Sequence, residues 1–397
     1  MNELRDFFQK QFGTAPAQFV QAPGRVELLG NHTDYNQGLI MALAVDKHIT
    51  LAVAPRQDGI VEIRDMAFPE VARFPVDKIE KDPAIPWANY PKGLLLQLQK
   101  RGVQFGGFNA AIRSTVPLGA GLSSSAAFLV ATALAVRKLY PYSLTEAGAG
   151  APPKPDAASN LPPLGNAEKM LFAKACQAAE NQFVGVNCGL LDHISSLFGR
   201  AWQVILIDCL HLTVNWSPLH GDIAVVVCHS GVKHALVGGE YNDRRAHCES
   251  AAKALGVPSL RFATLELLQA NQAKLAPRDY GCALHVVGEN QRVSEGSQLL
   301  RADKLAEFGR LLFASHESSR LNFLNSCPEL DVLVELAKTY PGCLGARLTG
   351  GGFGGATLNL VRRNQAEDFR VKMAAGYEQR TGHKLQSWIC QVVDGAA

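Results

Sequence analysis

The stretch Val116-Pro-Leu-Gly-Ala-Gly-Leu-Ser-Ser-Ser-Ala-Ala127 constrains this chain more than any other. Two closely spaced glycines let a backbone turn sharply and approach a bulky anion. Serines at 123, 124 and 125 follow, and then an apolar, alanine-rich run over 126–139 without Gly or Pro, which predicts a helix. The loop therefore opens on a helix N-terminus, where free N–H groups and the dipole favour a phosphate, and the hydroxyls can donate to phosphate oxygens or ligate a hard cation. The spacing alone leaves a second reading open, a glycine turn capped by serine ahead of a core helix. The loop is not a Walker A loop, since no Lys-Ser or Lys-Thr follows the glycines at the required spacing. His-Arg-Asp and Asp-Phe-Gly motifs of the protein-kinase type are missing too.

Upstream, residues 1–17 have the spacing of a short amphipathic helix (Leu4, Phe7, Phe8, Phe12) ending near Gly13. Val26 and Leu28 alternate as in a strand, which leads into a turn carrying Asn31, His32 and Asp34, with Arg25 just before it. Such a turn suits a polyhydroxyl ligand, or else bonds to itself as an Asx turn. Apolar runs at 49–53, 60–63 and 71–74 read as strands of one sheet. A helix is expected from Trp87, a strand near 108–112, a surface loop or flexible insertion over the Ala-, Pro- and Gly-rich 146–165, and helix again over 167–183. Asp192 falls at a helix start, as an N-cap or a catalytic carboxylate.

Beyond residue 201, runs at 204–207 and 223–227 suggest a second sheet. A helix bearing Tyr241 opens near Gly238, and helical segments are expected around 265–272, 298–312 and 330–340. A second glycine-rich stretch, Arg347-Leu-Thr-Gly-Gly-Gly-Phe-Gly-Gly-Ala-Thr, formally contains GxGxxG. A strand pattern follows it rather than a helix, which rules out a dinucleotide fold and points to close backbone approach.

Net charge is +3 and gives no case for nucleic acid. The polar, charged start does not fit a signal peptide, and no apolar run reaches membrane-spanning length. Nine scattered cysteines without a CxxC pair fit a reduced, cytoplasmic thiol set.

Three separated stretches, Pro23-Gly-Arg-Val-Glu-Leu-Leu-Gly-Asn-His-Thr-Asp-Tyr-Asn, Pro117-Leu-Gly-Ala-Gly-Leu-Ser-Ser-Ser-Ala-Ala and Leu348-Thr-Gly-Gly-Gly-Phe-Gly-Gly, together resemble the three motifs of the GHMP kinases, and the galactokinase branch in particular. Trp87-Ala-Asn-Tyr, Ala179-Glu-Asn-Gln-Phe-Val-Gly-Val, Cys188-Gly-Leu-Leu-Asp, Ser230-Gly-Val-Lys-His, Glu240-Tyr-Asn-Asp-Arg-Arg and Ser326-Cys-Pro-Glu-Leu-Asp fill the gaps in family order. The resemblance implies an α+β fold of two domains. An N-terminal mixed sheet with helices, like ribosomal protein S5 domain 2, would span 1–200, and a C-terminal α/β sandwich on an antiparallel sheet 201–397, with the active site at their interface.

The resemblance implies ATP-dependent phosphorylation of the anomeric hydroxyl of galactose by a monomer. ATP phosphates would lie on Gly119, Ala120, Gly121, Leu122, Ser123, Ser124 and Ser125, and Mg²⁺ on Ser125 and Glu180. Asp192 would accept the hydroxyl proton and Arg25 would stabilise the transition state. Asn31, His32, Thr33, Asp34, Asp192 and Tyr241 would hold the sugar. Competing readings are a kinase of a related sugar such as N-acetylgalactosamine, or a sugar and ATP sensor without turnover. Three departures bear on this. The sugar turn reads Gly-Asn-His-Thr-Asp where the family has Gly-Glu-His-Thr-Asp, and Glu27 stands where the family often has Asn, which suggests a compensating exchange across the motif. His193 replaces the usual Gln after the aspartate.

Overall fold

The alternation at Val26 and Leu28 belongs to strand β1 (Gln18–Leu29), which pairs antiparallel with β2 (Leu39–Arg56). β2 is 18 residues long, enough to take different neighbours along its length. β5 (Gly107–Ser114) lies on its C-terminal half and β8 (Gln203–Asp208) on its N-terminal end. β3 (Ile60–Asp65) runs parallel to β5, and β4 (Val71–Pro75) and β9 (Thr213–Pro218) form the edges. The result is a mixed seven-stranded sheet. The computed structural model describes residues 1–117, 119–150, 162–233 and 237–396.

One face of this sheet carries α1 (Asn2–Phe12), which buries Leu4 and Phe8 against Ala52 and Ala111 and ends before Gly13 as expected. The other carries α2 (Asn89–Lys100), α3 (Ser124–Leu139), α4 (Asn166–Ala178) and α5 (Leu191–Phe198). α3 is buried from Ala126 to Arg137, which its unbroken apolar composition requires. A small hairpin, β6 (Ser143–Thr145) and β7 (Gly148–Gly150), begins the Ala- and Pro-rich stretch. Residues 151–161 of that stretch, Leu118 of the glycine–serine loop and His234 lie outside the described residues.

A second, antiparallel sheet contains β10 (Ile223–Lys233), β11 (Cys343–Thr349), β12 (Gly354–Arg362) and β13 (Gln386–Cys390), in the order β11-β12-β10-β13. Helices α9 (Leu305–Ser318), α10 (Pro328–Thr339) and α11 (Ala366–Thr381) pack on it. α6 (Val237–Leu255), α7 (Leu265–Ala270) and α8 (Pro277–Arg301) form a further layer near the sugar turn. One apolar core joins the halves, since Val26 and Leu28 share a cluster with Val225 and Leu358.

Three expectations change. The runs at 204–207 and 223–227 were expected in one second sheet. They divide between two, because β8 completes the N-terminal edge of β2 while β10 centres the other sheet. A boundary at 200/201 would therefore sever β8 and β9 from their sheet, and we propose a junction just after Pro218 instead. The segment at 298–312 is two helices broken at Ala302–Lys304, and most of the 25-residue α8 was not expected. The second glycine-rich stretch is the turn between β11 and β12, as its strand pattern implied.

Candidate active site

β1 ends at Leu29, and the chain turns through Gly30 and through His32 at φ 59°. Helix α8 straps this turn from below. Glu289 Oε2 accepts from the backbone N–H groups of Gly30 (2.7 Å) and Asn31 (3.0 Å), and Asn290 Oδ1 from that of Leu39 (2.8 Å). Arg292 donates to the other Glu289 oxygen at 2.5 Å. Burial pushes the Glu289 carboxyl up, but Arg292, His285, Arg347 and the Asn31 N–H outweigh it and hold the group well below the usual carboxylate range. Glu289 was missed from sequence along with α8. The signal was present in Pro277 opening the helix, Asp279 in its first turn, and buried residues at 282, 283, 286, 287 and 293.

A cavity of about 560 Å³ lies above the turn, lined by Arg25, Glu27, Asn31, His32, Asp34, Cys188, Asp192, Tyr241 and Asn242 among others. Thr33 is not brought to it. Its hydroxyl is buried within the turn, 2.7 Å from Gly30 O and 2.8 Å from Leu39 O. His32 lines the wall with both ring nitrogens engaged. Nε2 donates to Gly351 O (3.0 Å) and Nδ1 accepts from Tyr35 (2.9 Å), while the ring lies against Tyr241 and Phe323. Burial lowers its pKa to about 4, so it stays neutral. Asn31 is also tied down: Nδ2 donates to Gly350 O (2.9 Å) and Oδ1 accepts from Asn325 (2.9 Å). Asp34 and Asp192 bring two further carboxylates to this pocket beside Glu27. Burial, and then the charge of Asp192, raise the Asp34 pKa to about 6. Asp34 fits because residue 189 is glycine: a Cβ there would stand 1.9 Å from Asp34 Oδ2.

Asp192 sits in the first turn of α5 but does not cap it; Leu190 holds the N-cap position. Its Oδ1 takes a two-pronged contact from Arg25, at 2.7 Å from Nε and 2.5 Å from Nη2. Arg25 Nη1 donates to Gly121 O at 2.5 Å. Ser123 donates its hydroxyl to Asp192 Oδ2 and makes no side-chain cap on α3. The capped-turn reading of the loop therefore fails, because the N-cap serine faces the aspartate. Across the loop, a second cavity of about 250 Å³ is lined by Gly119, Gly121, Leu122, Ser123, Ser124, Ser125, Arg25 and Asp192. Ala120 is buried behind the loop. Gly121 and Gly350 meet back to back; a Cβ on Gly350 would lie 3.3 Å from Gly121 O, so the two glycine turns approach as closely as their composition suggested. Arg25, Asp192, Gly350 and Gly351 line both cavities.

Behind the loop, α4 continues into a π-turn over Ala179–Val184, which places Glu180 inward. Ser125 and Cys188 hydrogen-bond to its carboxyl, and His193 Nε2 lies 3.0 Å from Oε2. Burial raises the Glu180 pKa, but His193 and the hydrogen bonds of His193, Cys188 and Ser125 prevail and hold it below the usual range. Ser125 and Glu180 thus present two hard oxygen donors side by side, the kind of set Mg²⁺ takes while keeping sites for phosphate and water.

Residues 6–55 match the galactokinase galactose-binding signature, 89–149 the GHMP kinase N-terminal domain and 297–379 the GHMP kinase C-terminal domain. The chain is 40% identical to a galactokinase of Roseiflexus sp. over 99% of its length and 96% of that protein's. It is 38% identical to the Homo sapiens galactokinase over 99% and 95%. The crystal structure of Lactococcus lactis galactokinase complexed with galactose superposes with a TM-score of 0.90 at 29% identity, covering 100% of this chain and 99% of that one. A Methanococcus jannaschii mevalonate kinase shares the fold alone, with a TM-score of 0.62 at 16% identity. With full-length identity at this level, and with a sugar-turn cavity and a glycine–serine loop meeting at one Arg–Asp pair, this chain belongs to the galactokinase family of the GHMP kinases.

Proposed function

We propose that this protein transfers the terminal phosphoryl group of ATP to the anomeric hydroxyl of galactose, giving galactose 1-phosphate and ADP. The observation that carries the reading is the Arg25–Asp192 pair, which lies on the wall shared by the two cavities. A sugar in the larger cavity and phosphates in the smaller would meet there. The galactokinases that align over the full chain favour galactose over a related sugar, and turnover over a sensor.

In this reading the main-chain amides of residues 119–125 and the N-terminus of α3 bind the phosphates. Asp34, Asp192 and Tyr241 hold the sugar, while Asn31 and His32 fix the wall by bonding the 350–351 turn. Asp192 accepts the anomeric hydroxyl proton at its carboxylate and orients the oxygen for in-line attack. Arg25 bridges Asp192 and the Gly121 carbonyl, so positive charge stands where negative charge develops. Ser125 and Glu180 would hold Mg²⁺, which when bound neutralises phosphate charge. We also read the protein as a cytoplasmic monomer; among the described residues no helix is long and apolar enough to cross a membrane.

The test is ADP release with Mg-ATP across a panel of hexoses and N-acetylated hexosamines. Galactose should give the highest kcat/KM. A different sugar in first place would move the specificity, and no release with any sugar would refute the kinase reading.

A further inference from the structure

Cys188, His193 and Glu180 offer a thiol sulfur, an imidazole nitrogen and a carboxylate oxygen that all lie within 4.8 Å of one another. Cys188 Sγ and His193 Nε2 each stand 3.0 Å from Glu180 Oε2. Tetrahedral Zn²⁺, with ligands about 2.0–2.3 Å away, is shared by donors roughly 3–4 Å apart, so small side-chain shifts suffice. His193 is fully buried, its Nε2 faces the cluster 3.0 Å from Glu180 Oε2, and neither ring nitrogen makes a well-formed hydrogen bond among the described residues. A buried imidazole nitrogen without a well-formed hydrogen bond is costly, and a cation on Nε2 would supply the partner that this nitrogen lacks. Cys188 is half-buried and lines the large cavity, which gives an ion a way in. The loop carrying it is fixed, with Asn181 Oδ1 accepting from the Cys188 N–H at 3.0 Å.

We propose that Cys188, His193 and Glu180 form a binding site for a thiophilic divalent cation such as Zn²⁺, and that its occupation inhibits the enzyme by withdrawing Glu180 from Mg²⁺. Sulfur and imidazole suit Zn²⁺ and are poor ligands for Mg²⁺, so the set discriminates by ligand type. Binding exchanges the Cys188 thiol proton, released to water, for a metal–sulfur bond, with no change of oxidation state. Water completes the coordination from the cavity side. The inhibition rests on the proposed role of Glu180 in holding Mg²⁺; the binding does not.

The test is a Co²⁺ titration of the full chain without nucleotide or sugar. Wild type should develop a thiolate-to-cobalt charge-transfer band that saturates at about one equivalent and is bleached by Zn²⁺. Cys188→Ser should abolish the band. His193→Gln should weaken Zn²⁺ binding by more than the roughly 10–100-fold that loss of an outer-shell partner costs. Zn²⁺ should also raise the Mg²⁺ concentration needed for half-maximal rate. No band in wild type, or an undiminished one in Cys188→Ser, overturns the site. If Cys188→Ser does not fold, unchanged Zn²⁺ affinity in a His193→Gln protein that melts cooperatively overturns it equally. Failure to phosphorylate galactose would strike the proposed function and leave the cobalt band in place.

Discussion

Asn31 Nδ2 stands 3.4 Å from Glu27 Oε2, and both residues line the large cavity. Glu27 also accepts from the fully buried Arg347 at 3.1 Å, while burial pushes its carboxyl up to about 7 against the pull of Arg347 and Arg25. The exchange of residue types suggested by the sugar motif is thus a contact between the two side chains.

Each single reversal damages this arrangement. Glu27→Asn leaves Arg347 without its carboxylate, at a cost of about 3–5 kcal/mol. Asn31→Glu sets a second carboxylate against Glu27 and the Gly350 carbonyl. The double replacement restores one carboxylate to the cluster, so kcat/KM for galactose should exceed the product of the single effects, with at least about 1 kcal/mol of coupling. Additive losses across the cycle would show that the two positions are independent.

Asp34 should trade stability for sugar binding. Its pKa is raised from 3.8 to about 6, so the folded state disfavours its charge. Stability from this group is therefore greatest below pH 4 and is lost as pH rises through about 6. The shift corresponds to about 3 kcal/mol in a closed site, and solvent at the cavity mouth leaves about 1–2 kcal/mol. Asp34→Asn should melt higher than wild type at pH 7, with the gap closing near pH 4, and should raise the KM for galactose about tenfold or more. A lower melting temperature at pH 7 would contradict the assignment.

Glu289 has the opposite sign. Its depressed pKa supplies stability above about pH 4.5 that is lost as pH falls below it. Glu289→Gln should cost about 3 kcal/mol at pH 7 by leaving Arg292 unpaired, and should raise the KM for galactose by loosening the Asn31–Asp34 turn. Thermal melts from pH 7 down to about pH 3 should show a constant difference from wild type that begins to shrink only below about pH 4.5.

Most of the site was legible because its chemistry sits in contiguous motifs. Residues 25–34, 119–125 and 188–192 each carry several polar groups within a short stretch of chain, and the two glycine turns declared their close approach by composition. What stayed hidden depends on tertiary contacts. Nothing near Ser123 in sequence says that its hydroxyl faces Asp192, 69 positions away. Thr33 reads like its neighbours, yet its hydroxyl closes the turn instead of facing the cavity. Glu289 lies in a helix whose start Pro277 and Asp279 do signal, but nothing in the sequence says that this helix packs under the sugar turn. The run at 204–207 looks like any buried strand, and only the length of β2 explains why it joins the first sheet.

The most direct measurement of the central claim is the turnover of Asp192→Asn with saturating Mg-ATP and galactose, alongside calorimetric galactose binding. If Asp192 accepts the anomeric proton, kcat should fall about 10²–10⁴-fold while the sugar still binds. A kcat within about tenfold of wild type would contradict that role, since the loss would then fall below what general base catalysis supplies.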